Sequence, residues 1–464
     1  MLFRSGNSPP FLRTPTSDQQ RQIAELEERL ATARDVVATK QLELAHAQSS
    51  WEATVEVNKL VDWLPSAGQI WPPIATPDSS KNWIDLARVE GGTAESISNP
   101  FGPAIALNGD QFLDAGDVAN FGFYDKFTLS AWIFPDGKPT GTILSRMVDV
   151  PEGEGYSVFL KEGKIQVNLV KRWLDDAVRV ESEPAVSSDR WNHVTVVYDG
   201  SRVADGIKIY LNGAPVAIGT NVDLLNQNFA SASPLRIGGG HGPNGRFRGK
   251  IAGVRVFNQA LDASTCLSLA AEASIVEILA KPHSERSAAE AMKLQGYFLA
   301  TAAPAELAQA HSLVEELERS LTQLIESCPT TMVMAELQQP RPTRILVRGE
   351  YDKPGEQVTP DTPRCLPQMP KTSPTNRLGF ARWLAQPSHP LTSRVVVNRC
   401  WQMLFGTGLV KTVDDFGAQG EPPTHQELLD WLAVEFAAPM TPVGQAPNPS
   451  EQADAEAWRL KRLL

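Results

Sequence analysis

The sequence predicts a multidomain chain of the α+β class, with an all-β sandwich of jelly-roll type at its centre and helical segments on either side. Three observations carry this. From Phe101 to Phe257 apolar residues alternate with period two in short runs, separated by turn residues and without a helical pattern between them. Before and after that stretch the spacing returns to the three-and-four of helices. At 464 residues the chain exceeds what one core ordinarily organises. The expected division is a disordered start (1–16), a long helix (17–62), a linker (63–93), the sandwich (94–267) and a mainly helical domain (268–464).

The helix over 17–60 rests on Ile23, Leu30, Val37, Leu44 and Trp51, seven residues apart, with Leu26, Ala33 and Ala47 at intermediate positions and Lys40 as an exception. So narrow a seam requires a partner helix. A dimerising coiled coil and an antiparallel pairing within the chain both satisfy it. Pro65 ends the pattern.

In the sandwich, FTLSAWIF (127–134) places Phe127, Leu129, Ala131 and Ile133 on one face. YSVFL, KIQVNLV, WNHVTVVYD, IKIYLNG, LRIGG and GKIAGVRVF follow as further strands. Asp136-Gly137, Asp199-Gly200 and Asn212-Gly213 mark turns. Beyond Ala263 helical spacing returns, most clearly in Leu307, Ala310, Val314, Leu317, Leu321, Leu324 and Ile325. RILVR (344–348) reads as a strand that leads into a long Pro/Gly loop. A helix from Thr392 ends at Gly406, and Thr424 to Glu427 reads as a capping box before LLDWLAVEF.

A composition of 42% hydrophobic and 21% charged residues is that of an ordinary globular protein. A net charge of −11 argues against a nucleic-acid partner, which would need clustered Lys and Arg. No apolar run approaches the ~18–20 residues of a membrane-spanning helix. The opening MLFRSGNSPPFLRTPT lacks the apolar run of a signal peptide. Cys266, Cys328, Cys365 and Cys400 form no C-x-x-C pair and read as isolated buried thiols.

FTLSAWIFP, WNHVTVVYDG, IKIYLNG and FRGKIAGVRVFNQAL, in that order, resemble the strand series of laminin-G-like, concanavalin A-like jelly rolls. The segment from RILVRGEYDKPGEQVTP through NRLGFARWLAQPSHPLTSRVVVNRCWQMLFGTGLVKTVDDFGAQGEPPTHQELLDWLAVEF, within 340–437, resembles the planctomycete PSD family. That is a domain of unknown function found in large proteins that also carry cytochrome-C-like domains, often with a laminin-G-like insert. The resemblance implies a fragment or shortened member of a larger exported protein, periplasmic or at the cell surface. The family's haem-attachment motif is absent from this chain. APMTPVGQAPNPSEQADAEA reads as a flexible insertion, and the closing WRLKRLL as the start of a helix.

Jelly rolls of this kind commonly bind glycans or proteins, sometimes through calcium. Aromatic faces stack on sugar rings while amides and charges take the hydroxyls, which selects Trp173, His241 and Asn244 as candidate contacts. A calcium ion would have to draw on Asp175, Asp176 and Asp223, and Ile251-Ala252-Gly253-Val254 lacks the two carboxylates that similar domains carry there. No other cofactor is implied. The Gly238-Gly239-Gly240 run opens no helix, so it is not a dinucleotide fingerprint. Asp415-Phe416-Gly417 has no companion kinase motifs. Glu181 and Glu183 share a strand face beside Pro184, and read as a solvated strand edge rather than a glycosidase pair.

In the C-terminal domain Arg348, Glu350, Tyr351, Asp352 and Lys353, with Arg394, Asn398, Arg399, Asp414, Asp415 and His425, form a polar set. A structural network around the Pro/Gly loop and an active site both explain them. The expected function is a non-catalytic module binding a glycan or protein. The alternatives are an enzyme acting on polysaccharide or in redox chemistry through the C-terminal domain, and a scaffold that self-associates through 17–60.

Overall fold

A computed structural model describes residues 11–61, 63–73, 83–99, 102–137, 139–271, 273–334 and 342–437. Two units divide the chain, residues 1–334 and 335–464. The insertion and closing helix expected after Ala437 lie outside the described residues.

The first unit opens on two helices, α1 (Ser17–Thr39) and α2 (Gln41–Thr54), rather than one reaching residue 60. Thr16 starts α1 with a capping box: its hydroxyl accepts from Gln19 N–H while the Gln19 side chain accepts from Thr16 N–H. The break falls at Lys40, the one polar residue in the seam, where the packing partner also changes. Leu30 and Ala33 of α1 lie against Leu317, Val314 and Leu321, whereas Leu44 and Ala47 of α2 lie against Phe298 and Leu307.

The sandwich consists of two antiparallel sheets. One runs Ile218–Asp223, Asp176–Ala185, Lys164–Arg172, Gly155–Lys161, Gly141–Met147, Arg236–Ile237, Phe112–Asp114 and Arg88–Glu90. The other runs Ala214–Pro215, Ile207–Leu211, Asn192–Tyr198, Phe127–Pro135, Arg248–Phe257, Gly102–Asn108 and Glu95–Asn99, and Gln69–Trp71 pairs beside Arg248–Phe257. Phe127, Leu129, Ala131 and Ile133 all enter the core between the sheets, as the alternation predicts. They meet Tyr156, Val158, Leu160, Val167, Leu169, Val178 and Val180 from the facing sheet. Each large apolar side chain buried this way contributes about 1.5–3 kcal/mol relative to exposure. Asn212 and Gly213 both take positive φ, 53° and 80°, as a two-residue hairpin turn demands.

Four helices follow the sandwich: α3 (Ala263–Leu269), α4 (Ile275–Ala280), α5 (Ala288–Thr301) and α6 (Ala305–Ser327). α6 runs antiparallel to α1, with Arg34–Glu318 at 2.7 Å and Lys40–Glu306 at 3.2 Å along the pair. The heptad seam is thus met by a helix of the same chain.

In the second unit a hairpin pairs Thr343–Leu346 with Pro354–Val358, so part of the expected Pro/Gly loop is a strand. α7 (Arg377–Leu384), α8 (Thr392–Phe405) and α9 (Gln426–Ala437) follow. Gly406 ends α8 in the left-handed region at φ 81°. Val397, Leu409, Val410, Leu429 and Phe436 form this unit's core. α9 begins at Gln426, and the Thr424 hydroxyl, expected to cap it, donates instead to the Leu409 carbonyl at 3.2 Å. All four cysteines are free, and Cys365 is exposed rather than buried. Among the described residues no helix is long and apolar enough to cross a membrane.

Candidate functional site

The core-facing residues of the first sheet are Tyr156, Val158 and Leu160, then Ile165, Val167 and Leu169, then Val178 and Val180. By alternation Ser157 and Phe159, Gln166 and Asn168, and Arg179 and Glu181 point away from the core. Cross-strand pairing aligns them in rows, Ser157–Asn168–Arg179 and Phe159–Gln166–Glu181. A polar band with aromatic neighbours therefore crosses three strands on one outer face.

The loop from Gly238 to Arg246 folds onto this face. The Ser145 hydroxyl donates to Gly239 O at 2.5 Å, and the Thr142 hydroxyl to Gly245 O at 2.8 Å. A Cβ on Gly240 would fall 2.6 Å from Ser145 Oγ, at a φ of 141°. The glycine run thus exists for close approach to the sheet. The loop sets His241 over the band, where its Nε2 lies 2.9 Å from Ser157 Oγ, which in turn accepts from Asn168 Nδ2 at 3.1 Å. Burial pushes the His241 pKa down to about 4, against the pull of Asp149, so the ring is neutral at pH 7. Arg246 pins the loop base to Asp149 through two contacts of 2.5 and 3.0 Å.

Trp173 stands in the tight turn between Lys164–Arg172 and Asp176–Ala185, partly buried. Its ring centroid is 6.2 Å from that of His241, edge to face, and the Arg179 guanidinium carbon lies 4.0 Å over its centroid. Phe159 adds a second edge contact to His241, at 4.9 Å. Two of the three residues selected from sequence therefore converge. Asn244 does not: it is exposed in the short turn Pro243–Gly245, and among the described residues it makes no hydrogen bond to either of them. Arg179, Phe159, Ser157 and Asn168 escaped the sequence reading. The alternation in DAVRVESEP, with Val178 and Val180 inward, already placed Arg179 outward.

The candidate calcium donors do not converge on one point: Arg172 stands against both Asp175 and Asp176, at 2.9 and 3.7 Å, and Asp223 is bound elsewhere. Asp176 also accepts from the backbone N–H groups of Asn226 and Gln227, and Asp223 accepts from Ala204 N–H. Among the described residues no three His, Cys, Asp or Glu side chains lie together as metal ligands would. Glu181 accepts from Gln166 at 2.7 Å and Lys164 at 3.0 Å, which hold its pKa below the usual carboxylate range. Its strand, Asp176–Ala185, is not an edge as the sequence suggested, because Ile218–Asp223 pairs beyond it. A Ser130–His193 contact of 2.9 Å on the other sheet has the form of a nucleophile and base. Both residues are about 1% exposed and, among the described residues, His193 Nδ1 has no partner and no carboxylate orients the ring.

The polar residues of the second unit disperse. Arg394 binds Asp430 at 2.7 Å and the Pro390 carbonyl. Asn398, 0% exposed, is spent on the backbone of Val410. Asp414 is exposed, 3.6 Å from Arg399, and Asp415 accepts from Gly417 N–H. Arg348, Tyr351 and Asp352 are exposed at the hairpin turn, where Lys353 pairs with Glu350, and His425 is exposed before α9. A groove of about 350 Å³ between α1 and α6 is lined largely by apolar side chains and gathers no reactive set.

Residues 107–265 match the family described as the concanavalin A-like lectin/glucanases superfamily, and residues 376–441 match the family described as protein of unknown function (DUF1553). No curated protein matches. Among solved structures the chain is similar to the binding domain of Paraclostridial Mosquitocidal Protein 1, at 16% identity and TM-score 0.31, covering 40% of this chain and 47% of that one. It is also similar to Domain 4 of AbnA, an extracellular arabinanase from Geobacillus stearothermophilus solved with arabinotriose, at 20% identity and TM-score 0.29, covering 40% and 88%. A pentraxin from Limulus polyphemus aligns at 20% identity and TM-score 0.26, covering 32% and 71%. The chain spans about half the length of the toxin binding domains that it matches first. It carries, then, a concanavalin A-like jelly roll and, separately, a segment similar to a family of unknown function.

Proposed function

We propose that this chain is a non-catalytic binding protein whose jelly roll, within 94–267, holds a glycan on the outer face around Trp173 and His241. The observation that carries this is the convergence of Trp173, His241 and Phe159 over a polar row of Ser157, Asn168 and Arg179. Apolar ring faces beside fixed polar donors are what a pyranose, with its C–H face and hydroxyl rim, requires. The superfamily matched over 107–265 includes lectins by its own description, which agrees with this reading.

The resemblance of the second unit supports placing the chain in a larger exported planctomycete protein associated with cytochrome-C-like domains, periplasmic or on the cell surface. The enzymatic alternative would need Arg394, Asn398 and Asp414 at one open site, and their side chains serve three separate contacts. A glycan array probed with the whole chain tests the proposal. Retention of at least one glycan class supports it, and a blank array together with unimpaired folding refutes it.

A further inference from the structure

Arg179 differs from the paired cations around it. On this face Lys164 is taken by Glu181, Lys171 by Glu154 at 2.6 Å, Arg172 by Asp175, and Arg246 by Asp149. Arg179 forms no ion pair among the described residues. Glu181, two residues away on the same strand face, is turned to Gln166 and Lys164 instead. The charge of Glu152 acts on Arg179, but the two form no ion pair among the described residues. The Arg179 Nε is buried and has no hydrogen-bond partner among the described residues. A guanidinium bound to no carboxylate, with one N–H already out of water, is costly unless something else completes it.

Its position is nevertheless fixed. The Trp173 ring lies 4.0 Å under its central carbon, which orients the guanidinium by stacking and cation–π attraction. The buried Nε closes one side. What remains for a ligand is the Nη edge, a pair of donors in the fork geometry that fits the two oxygens of a carboxylate. The outer strand sets Val222 opposite Arg179 and Gly219 opposite Glu181, and an added Cβ at Gly219 would meet nothing closer than 4.0 Å, so the Glu181 row beside Arg179 is open on that side.

We propose that the Arg179 edge, stacked on Trp173, receives the carboxylate of a uronic acid, and that the ligand of this jelly roll is an acidic polysaccharide. This rests on the glycan reading above and sharpens it from any sugar to a charged one. The two donors of Arg179 pair with the two carboxylate oxygens while the neighbouring aromatic edges meet the sugar ring. Neutral His241 adds no repulsive or competing charge. An overall charge of −11 makes the preference diagnostic, because bulk electrostatics oppose a polyanion and only a local cation can favour it.

The test uses the whole chain in affinity electrophoresis and calorimetry with polygalacturonate, its methyl ester, neutral galactan, dextran sulfate and polyglutamate. The expected result is polygalacturonate binding on the order of tenfold tighter than its ester. Arg179→Met, which keeps the apolar stem, is expected to bring the acid down to the level of the ester. Arg179→Lys, which keeps charge but not the fork, is expected to fall between the two. Equal affinity for acid and ester, or a preference that survives Arg179→Met, overturns the inference while leaving glycan binding standing. Dextran sulfate or polyglutamate bound as tightly as polygalacturonate also overturns it, in favour of a general anion or acidic-peptide site. If no polysaccharide of any kind is bound, both this inference and the proposed function fall together.

Discussion

Asn398 and Val410 exchange two hydrogen bonds: the Asn398 amide donates to Val410 O at 2.9 Å and its carbonyl accepts from Val410 N–H at 2.8 Å. The side chain thereby imitates a strand partner for an irregular segment that has none. With Asn398 fully buried, Asn398→Ala strands both backbone groups. It should cost about 2–4 kcal/mol by urea denaturation. A variant of unchanged stability would show that Asn398 is not a clamp, and would reopen a chemical role for the Arg394–Asn398 helix face.

Leu30 packs against Leu317 within the chain. Leu30→Asp should therefore lower the unfolding midpoint, by about 3 kcal/mol or more in stability, with no change of mass in sedimentation. A wild-type dimer that the substitution dissociates would mean that the seam serves association between chains.

These two cases show what the sequence did and did not reveal. The seven-residue period of Ile23 to Trp51 demanded a partner, but a period carries no information about whose helix supplies it. Sandwich strands such as Phe127–Pro135 were legible because every second residue had to be apolar to fill a two-sheet core. Arg394 and Asn398 share one helix, as their spacing of four implies. Their partners, Asp430 and Val410, lie 36 and 12 residues away and depend on tertiary folding. The site was half legible for the same reason. Trp173 and His241 stood out by residue type, whereas Arg179 reads as an ordinary outward strand residue until its lack of an ion pair is seen.

Acid should destabilise the first unit earlier than its carboxylates alone would. Burial holds His193 at about 3 and His241 at about 4, against about 6.5 in an unfolded chain. Both folded values are depressed, so above pH 6.5 neither residue contributes a pH dependence. As pH falls below 6.5 the unfolded state takes up protons first and stability is lost. The slope is about 1.4 kcal/mol per pH unit for His193, and less for His241, which water partly reaches. Unfolding midpoints measured between pH 6.5 and 5 should fall, and His193→Gln should flatten the fall. An identical slope in the variant would contradict the assignment.

Arg202 is 2% exposed, and among the described residues none of its three guanidinium nitrogens has a hydrogen-bond partner; Phe123 and Tyr124 lie about 5 Å from its central carbon. Cation–π attraction offsets only part of such a desolvation cost. Arg202→Met should raise stability by about 1–3 kcal/mol, read as a higher melting temperature. A lower one would contradict this, showing that the guanidinium contributes more than its desolvation costs.

The central claim is that the outer face at Trp173 binds sugar, and one comparison tests it most directly: wild type against Trp173→Ala on the same glycan array, with near-ultraviolet circular dichroism as the check on folding. The account predicts a glycan class bound by the wild type and weakened on the order of tenfold or more in a folded variant. Equal binding by the two proteins, or none by either, would contradict it.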